Sequence, residues 1–187
     1  MLLDLINNLL LLNRMDAKKM NLNLSTFKPD EIIAHTRSYA EDLARQNHRV
    51  EVSWRVEESL PEITTDAMKL EEILQNLIGN AFKFTPRGRI EMRARNLSGQ
   101  DRIEFSVMDT GVGISREDRE RIFEEFRQVG ESPEGAHGGV GLGLSIVKGY
   151  LELMGGEIRV ESEPGGGSTF TFTIPYSIQN PAGRGSQ

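Results

Sequence analysis

The chain has 187 residues, enough for one domain of about 100 to 200 residues plus a short extension, and too few for a large multidomain enzyme. Its 22 Lys and Arg against 28 Asp and Glu leave a net charge of -6, which repels phosphate backbones and anionic lipid and argues against a general nucleic-acid binder. The absence of cysteine removes disulfide frameworks, thiolate zinc sites, iron–sulfur clusters and cysteine nucleophiles, and it fits a reducing cytoplasm.

No stretch approaches the roughly 18 to 20 apolar residues that span a bilayer. The Leu-rich start carries Asp4, Asn7 and Asn8 and lacks a small-residue cleavage site, so it is not an export signal. Leu2, Leu5, Leu9, Leu12 and Met15 step by three and four, the spacing of an amphipathic helix that packs one stripe against partner helices. Its partner helix is expected upstream of these residues. A linker is expected near residues 21–28, where Phe27 to Pro29 turn the chain, followed by a helix over 30–46. Val50, Val52, Trp54 and Val56 alternate with Glu51, Ser53 and Arg55, the period of a half-buried strand. Asp66 is placed to cap a helix over 67–84. Strands are predicted at 90–96 and 103–109 around Ser98-Gly99, short helices at 117–125 and 142–154, and closing strands at 157–161 and 168–175. Residues 176–187 read as a disordered tail. The mixture predicts an α+β sandwich with helices on one sheet face.

Three segments carry chemistry. On the 67–84 helix, Leu70, Ile73, Leu77, Ala81 and Phe84 form an apolar stripe, while Glu72, Asn76, Asn80 and Lys83 fall within about 80° of one another on a separate ridge. An Asn oxygen can join the oxygen shell of Mg²⁺, and a Lys beside it can neutralise a phosphate; a solvated polar face explains the ridge equally. Asp109-Thr110-Gly111-Val112-Gly113-Ile114 follows a strand directly. Its glycines let backbone approach a flat ligand, and an ionised Asp, which only accepts hydrogen bonds, suits the exocyclic amine of adenine. An ordinary strand-ending turn has the same composition. Gly138-Gly139-Val140-Gly141-Leu142-Gly143-Leu144 runs into a helix whose free N–H groups can meet phosphate oxygens. It is neither a dinucleotide-binding fingerprint, since residues 127–137 before it are polar rather than a strand, nor a Walker loop. Those polar residues look like a mobile lid.

Taken together, these segments resemble sensor histidine kinases. Residues 76–85 are similar to the family's N box, 109–113 to its G1 box, Ile122-Phe123-Glu124-Glu125-Phe126 to its F box and 139–144 to its G2 box. Gly165-Gly166-Gly167-Ser168-Thr169-Phe170 is similar to the last glycine-hydroxyl motif. The motifs stand in the family's order across residues 66–175. The resemblance implies the Bergerat ATP-binding fold, with a mixed sheet of about five strands and three helices on one face, preceded by an isolated amphipathic helix. ATP would lie between the helices and the lid.

The same resemblance assigns Asn80 to Mg²⁺, Asn76 and Lys83 to the phosphates, Phe84 to the adenine pocket wall and Asp109 to the adenine amine. Gly111, Gly113 and Ile114 would shape the base pocket. Gly139, Gly141, Leu142, Gly143 and Leu144 would form the phosphate loop, with a hydroxyl of Ser168 or Thr169 near Asp109 and either Arg127 or Gln128 reaching the γ-phosphate. Residues 1–22 look like the second helix of a dimerisation and phosphoacceptor hairpin, and 23–175 like the ATP-binding catalytic domain. His35, His48 and His137 lack the acidic neighbour of the family's acceptor, which is expected upstream. The implied cofactors are ATP and Mg²⁺. The implied partners are the protein's own hairpin and a response-regulator receiver domain, in a homodimeric parent whose catalytic domain is cytoplasmic whether or not the parent is anchored in a membrane.

The alternatives on the same fold are a gyrase- or Hsp90-like ATPase, an anti-sigma serine kinase, and a degenerate nucleotide-sensing or scaffold module. The ATPase would need a Glu where this chain has Asn76; Glu72, one turn earlier, is the only nearby substitute. The serine kinase would lack the Leu-rich helix.

Overall fold

A computed structural model of the chain describes residues 20–127 and 141–178. The helix expected over the Leu-rich residues before 20, the lid expected over 127–138 except Arg127, and residues 179–187 of the expected tail therefore lie outside the described residues.

The chain enters through β1 (Leu24–Phe27), a short strand where a linker was expected, and passes into α1 (Pro29–Gln46). Pro29 begins the helix with its fixed φ, and Asp30 and Glu31 face the positive end of the helix dipole. β2 (Val50–Val56) follows with the predicted alternation of exposure, then β3 (Ile63–Asp66), four residues whose polar composition hides a strand. β1 and β3 pair antiparallel, Leu24 opposite Asp66. Asp66 ends that strand and caps α2 (Ala67–Phe84), accepting the Lys69 amide at 3.1 Å while its second oxygen accepts the Asn23 amide at 2.9 Å. One buried carboxylate thus serves a helix start and the chain entry together.

β4 (Gly88–Leu97), β5 (Arg102–Asp109), β6 (Glu157–Glu163) and β7 (Gly167–Pro175) complete a five-stranded mixed sheet in the order β2-β4-β5-β7-β6. Only β2 and β4 run parallel. α1, α2 and α4 (Gly143–Leu153) cover one face, burying Leu70, Leu77, Phe105, Val147 and Phe172 between them and the sheet. Phe105 and Phe172 stack at 5.0 Å across β5 and β7. The opposite face is polar: Glu104 accepts Arg95 at 2.7 Å and Arg159 at 3.3 Å, and buried Glu91 lies between Arg55 and Arg93.

Two sequence expectations need correction. The helix expected over 117–125 is only α3 (Arg116–Arg119), begun by the Ser115 side chain accepting the Asp118 amide. Beyond it the backbone tightens into turns, with the Arg121 and Ile122 amides both bonded to the Asp118 carbonyl at 2.8 Å. Those turns sink Ile122 into the core and leave Phe126 exposed, which a continuous helix would not do. The tail expected from residue 176 also stays attached through 178, because Thr64 donates its amide to the Tyr176 carbonyl at 2.6 Å and accepts the Ile178 amide at 3.3 Å.

Candidate functional site

Asp109 is the last residue of β5 and points to the helix-covered face, as Ile103, Phe105 and Val107 do, so the strand period buries a carboxylate beside the core. Its Oδ1 accepts the Gly111 amide at 2.8 Å and the Thr85 hydroxyl at 3.4 Å, and the Ser168 backbone donates to the same carboxylate. Burial pushes the carboxyl above its ordinary range, and the donors from Gly111, Ser168 and Thr85 pull it back. A carboxylate offers about four lone-pair sites, so three fixed donors orient it and leave capacity for a ligand amine.

The G1 turn packs directly on the end of α2. Val112 donates its amide to the Phe84 carbonyl at 3.2 Å, and a Cβ on Gly111 would stand 2.2 Å from that same oxygen. Gly113 has φ +70°, and a Cβ there would meet the Glu163 carbonyl at 1.9 Å. Close approach therefore demands glycine at both positions. Ile114 is half-buried, its amide held by the Ser162 hydroxyl at 2.8 Å. Ser168 sits opposite Asp109 in the β5–β7 register, whereas Thr169 pairs with Met108 and falls on the other sheet face. Of the two candidate hydroxyls, only Ser168 stands beside Asp109.

On α2, Asn76, Asn80 and Lys83 are half-buried on the ridge next to the core stripe. Asn76 donates Nδ2 to the Glu72 carbonyl at 3.1 Å, which turns its Oδ1 toward the start of α4; a Cβ on Gly143 would reach that oxygen at 2.8 Å. The α2 ridge and the start of α4 therefore meet at one point. Lys83 Nζ lies 4.9 Å over the Phe84 ring. Among the described residues the Asn80 side chain makes no hydrogen bond. Gly141, with φ +76°, packs on the Arg127 carbonyl. The side chains of Leu142 and Leu144 turn into the core, anchoring the start of α4 so that its backbone rather than these side chains faces the site. Arg127 pairs with Asp118 at 3.2 Å. Gln128 and Gly139 lie outside the described residues.

Sequence reasoning missed three participants. Thr85 was inside a quoted motif but had no assigned role until it reached Asp109. Ser162 occupies an inward position of β6, in phase with Ile158 and Val160, and a serine in that phase was the available signal. Tyr150 is buried on α4, donates its hydroxyl to Glu72 and carries Lys69 Nζ 4.7 Å over its ring; desolvation first, then the carboxylates of Glu72 and Asp66, push its phenol far up. Lys69 Nζ also contacts both Glu72 carboxylate oxygens, at 3.2 and 3.3 Å.

The sequence profile described as "Histidine kinase-, DNA gyrase B-, and HSP90-like ATPase" matches residues 65–178, which contain Asp66, all of α2, the G1 turn and β7. Hybrid signal transduction histidine kinase D of Dictyostelium discoideum is 39% identical over 180 residues, covering 94% of this chain and 12% of that protein. The structure of full-length ShkA in complex with AMPPNP superposes with a TM-score of 0.79 at 36% identity, over 95% of this chain and 36% of the other. The structure of histidine kinase ThkA in complex with response regulator protein TrrA shares the fold, with a TM-score of 0.70 at 22% identity over 97% of this chain and 50% of the other. The chain spans 12 to 34% of the length of the curated relatives it matches. With Asp109, the α2 ridge and the glycine turns in one place, and with relatives of this kind, the chain belongs to the histidine kinase-, DNA gyrase B- and HSP90-like ATPase family, as a catalytic ATP-binding domain of its histidine kinase branch.

Proposed function

We propose that this chain is the catalytic part of a larger sensor histidine kinase, which moves the γ-phosphoryl group of Mg-ATP to a His of its own dimerisation hairpin for relay to a response-regulator receiver Asp. The parent acts as a homodimer, and this domain works in the cytoplasm. The observation that carries the reading is Asp109, a buried carboxylate oriented by three donors at the end of β5 and presenting acceptors to a base amine. Phe84 walls the base, and Asn76, Lys83 and the start of α4 receive the phosphates.

The residues present suit Mg²⁺ that arrives with the nucleotide. Among the described residues no cluster of three His, Asp or Glu could hold an ion alone, while Asn80 offers one carboxamide oxygen with no competing hydrogen bond there. When bound, the ion neutralises charge on the phosphate oxygens. Asn80 would hold it, Lys83 would supply a point charge, and Asn76 would position the loop of Gly143.

Transfer is favoured over hydrolysis by what surrounds Asn76. Its amide cannot take a proton from water, and Glu72 is clamped by Lys69 and Tyr150. That removes the base a gyrase-like ATPase would require. His35 contacts Glu71 at 3.8 Å on the exposed face of α1 and His48 is exposed, so neither supplies a phosphoacceptor at this site; His137 lies outside the described residues.

Incubation with labelled ATP and a separate hairpin fragment bearing a His followed by an acidic residue tests the reading. Label should move to the hairpin. Steady phosphate release with an unlabelled hairpin would instead assign the chain to the hydrolytic branch.

A further inference from the structure

A small group of buried hydroxyls stands behind the Asp109 pocket, and its proton accounting is complete. Ser162 Oγ lies 2.7 Å from the Gly167 carbonyl, 2.8 Å from the Ile114 amide and 3.0 Å from Ser168 Oγ. A carbonyl can only accept, so the single Ser162 proton goes to Gly167. The amide of Ile114 can only donate, and it fills one Ser162 lone pair. The contact with Ser168 then has one solution: Ser168 donates to Ser162. Both serines are buried, which makes an unpaired alternative costly.

The consequence falls on Ser168, which faces Asp109 across the β5–β7 register and donates its backbone N–H to that carboxylate. With its hydroxyl proton committed backward, Ser168 has only lone pairs left for anything beside Asp109. We propose that Ser162 is a specificity-positioning residue: by holding Ile114, Gly167 and the Ser168 proton together, it keeps the wall at the purine 6-position free of hydroxyl donors. Such a wall accepts a 6-amino group, a donor, and rejects a 6-keto group, an acceptor. Ser162 touches no ligand itself. The inference rests on Asp109 being the base-reading residue.

The experiment compares ATP with inosine triphosphate, which carries the 6-keto group, and with purine riboside triphosphate, which has no 6-substituent. Ser162→Ala should lower ATP affinity and reduce the ATP-over-inosine preference by about tenfold, because the Ser168 hydroxyl becomes free to turn its proton toward the base. Ser162→Thr, which keeps the hydroxyl, should restore the preference. If the Ala variant melts too low to assay, Ser162→Cys keeps the size, weakens the hydrogen bonds and should lose the preference in the same direction. Equal losses for all three nucleotides, or none, would overturn the proposal, since a merely structural serine moves them together. Exchange of the Ile114 amide without nucleotide should speed up about tenfold in Ser162→Ala. An Ile114 rate that is unchanged also overturns it. Failure of the wild-type chain to prefer ATP would overturn the adenine reading and this specificity role with it, and the Ile114 rate would show that the loss lies in the base assignment rather than in the hydroxyl network.

Discussion

At the proposed base end of the site the polar groups bond one another across five segments: Asp109 on β5, Thr85 after α2, Ile114 in the G1 turn, Ser162 on β6 and Ser168 on β7. At the proposed phosphate end, side chains on a single ridge of α2 face the first turn of α4: among the described residues Asn76 bonds the Glu72 carbonyl with its Oδ1 beside Gly143, Lys83 lies over the Phe84 ring, and the Asn80 side chain makes no hydrogen bond. The difference follows from what each end must recognise. A flat uncharged base offers few hydrogen bonds, so discrimination needs a wall fixed in advance; phosphates and metal bring strong charge and can order the groups that meet them.

The comparison is broken most strongly at the phosphate end. Asn80→Ala should lower transfer of label to the hairpin by about 100-fold or more, the scale of removing one charge-stabilising group, while calorimetry shows ATP still bound through the base end. Affinity and transfer that collapse together would show that the two ends are not separable.

Backbone closure at the base end comes next. Gly113→Ala places a Cβ against the Glu163 carbonyl at positive φ, and it should cost on the order of 2 to 3 kcal/mol of stability in thermal unfolding. Gly165 has a similar φ, +75°, but nothing within 4 Å of its Cβ position. Gly165→Ala should therefore cost only about 1 kcal/mol, and an equal penalty at both would deny that close packing distinguishes the G1 turn.

Asp109→Asn should weaken ATP binding by roughly 1 to 3 kcal/mol through loss of a charge-assisted hydrogen bond. Stability should move the other way. The folded carboxyl titrates above its unfolded value, so its contribution is present at low pH and is lost as pH rises through the folded value. The variant escapes that loss and should melt no lower than wild type at neutral pH. Binding by wild type, which needs the ionised form, should decline on acidification at a higher pH than an ordinary carboxylate would give. An ATP affinity flat down to the usual Asp range would contradict the burial argument.

The smallest effect is expected from Glu72→Gln, because its carboxylate is already held by Lys69 and Tyr150. Phosphate release should stay within about twofold of wild type. A tenfold drop would make Glu72 a base and erase the distinction from a hydrolase.

Much of this was legible in the chain. Apolar spacing located α2 with its bounds, the alternation of Val50 to Val56 located β2, and Asp66 announced the cap it forms. These are signals within one or two turns of backbone, where side-chain period and local hydrogen bonding dominate. The N-box ridge was visible for the same reason, since residues four apart on a helix must be neighbours.

What local period could not decide was which segments meet. β1 and β3 are four residues each, too short to show an alternation, and they exist as strands only because they pair with each other. The run from Glu120 to Phe126 has helical composition, yet burial of Ile122 bends it into turns. Thr169 looked equivalent to Ser168 until the register put them on opposite faces. Sequence alone determined α2, β2 and the cap at Asp66, and it singled out the residues proposed to read an adenine nucleotide. Only the tertiary structure decided that Ile114 and Ser162, 48 positions apart, would share a hydrogen bond and that Tyr150 would hold Glu72, because such contacts depend on how distant strands and helices close on one core rather than on the order of residues within any of them.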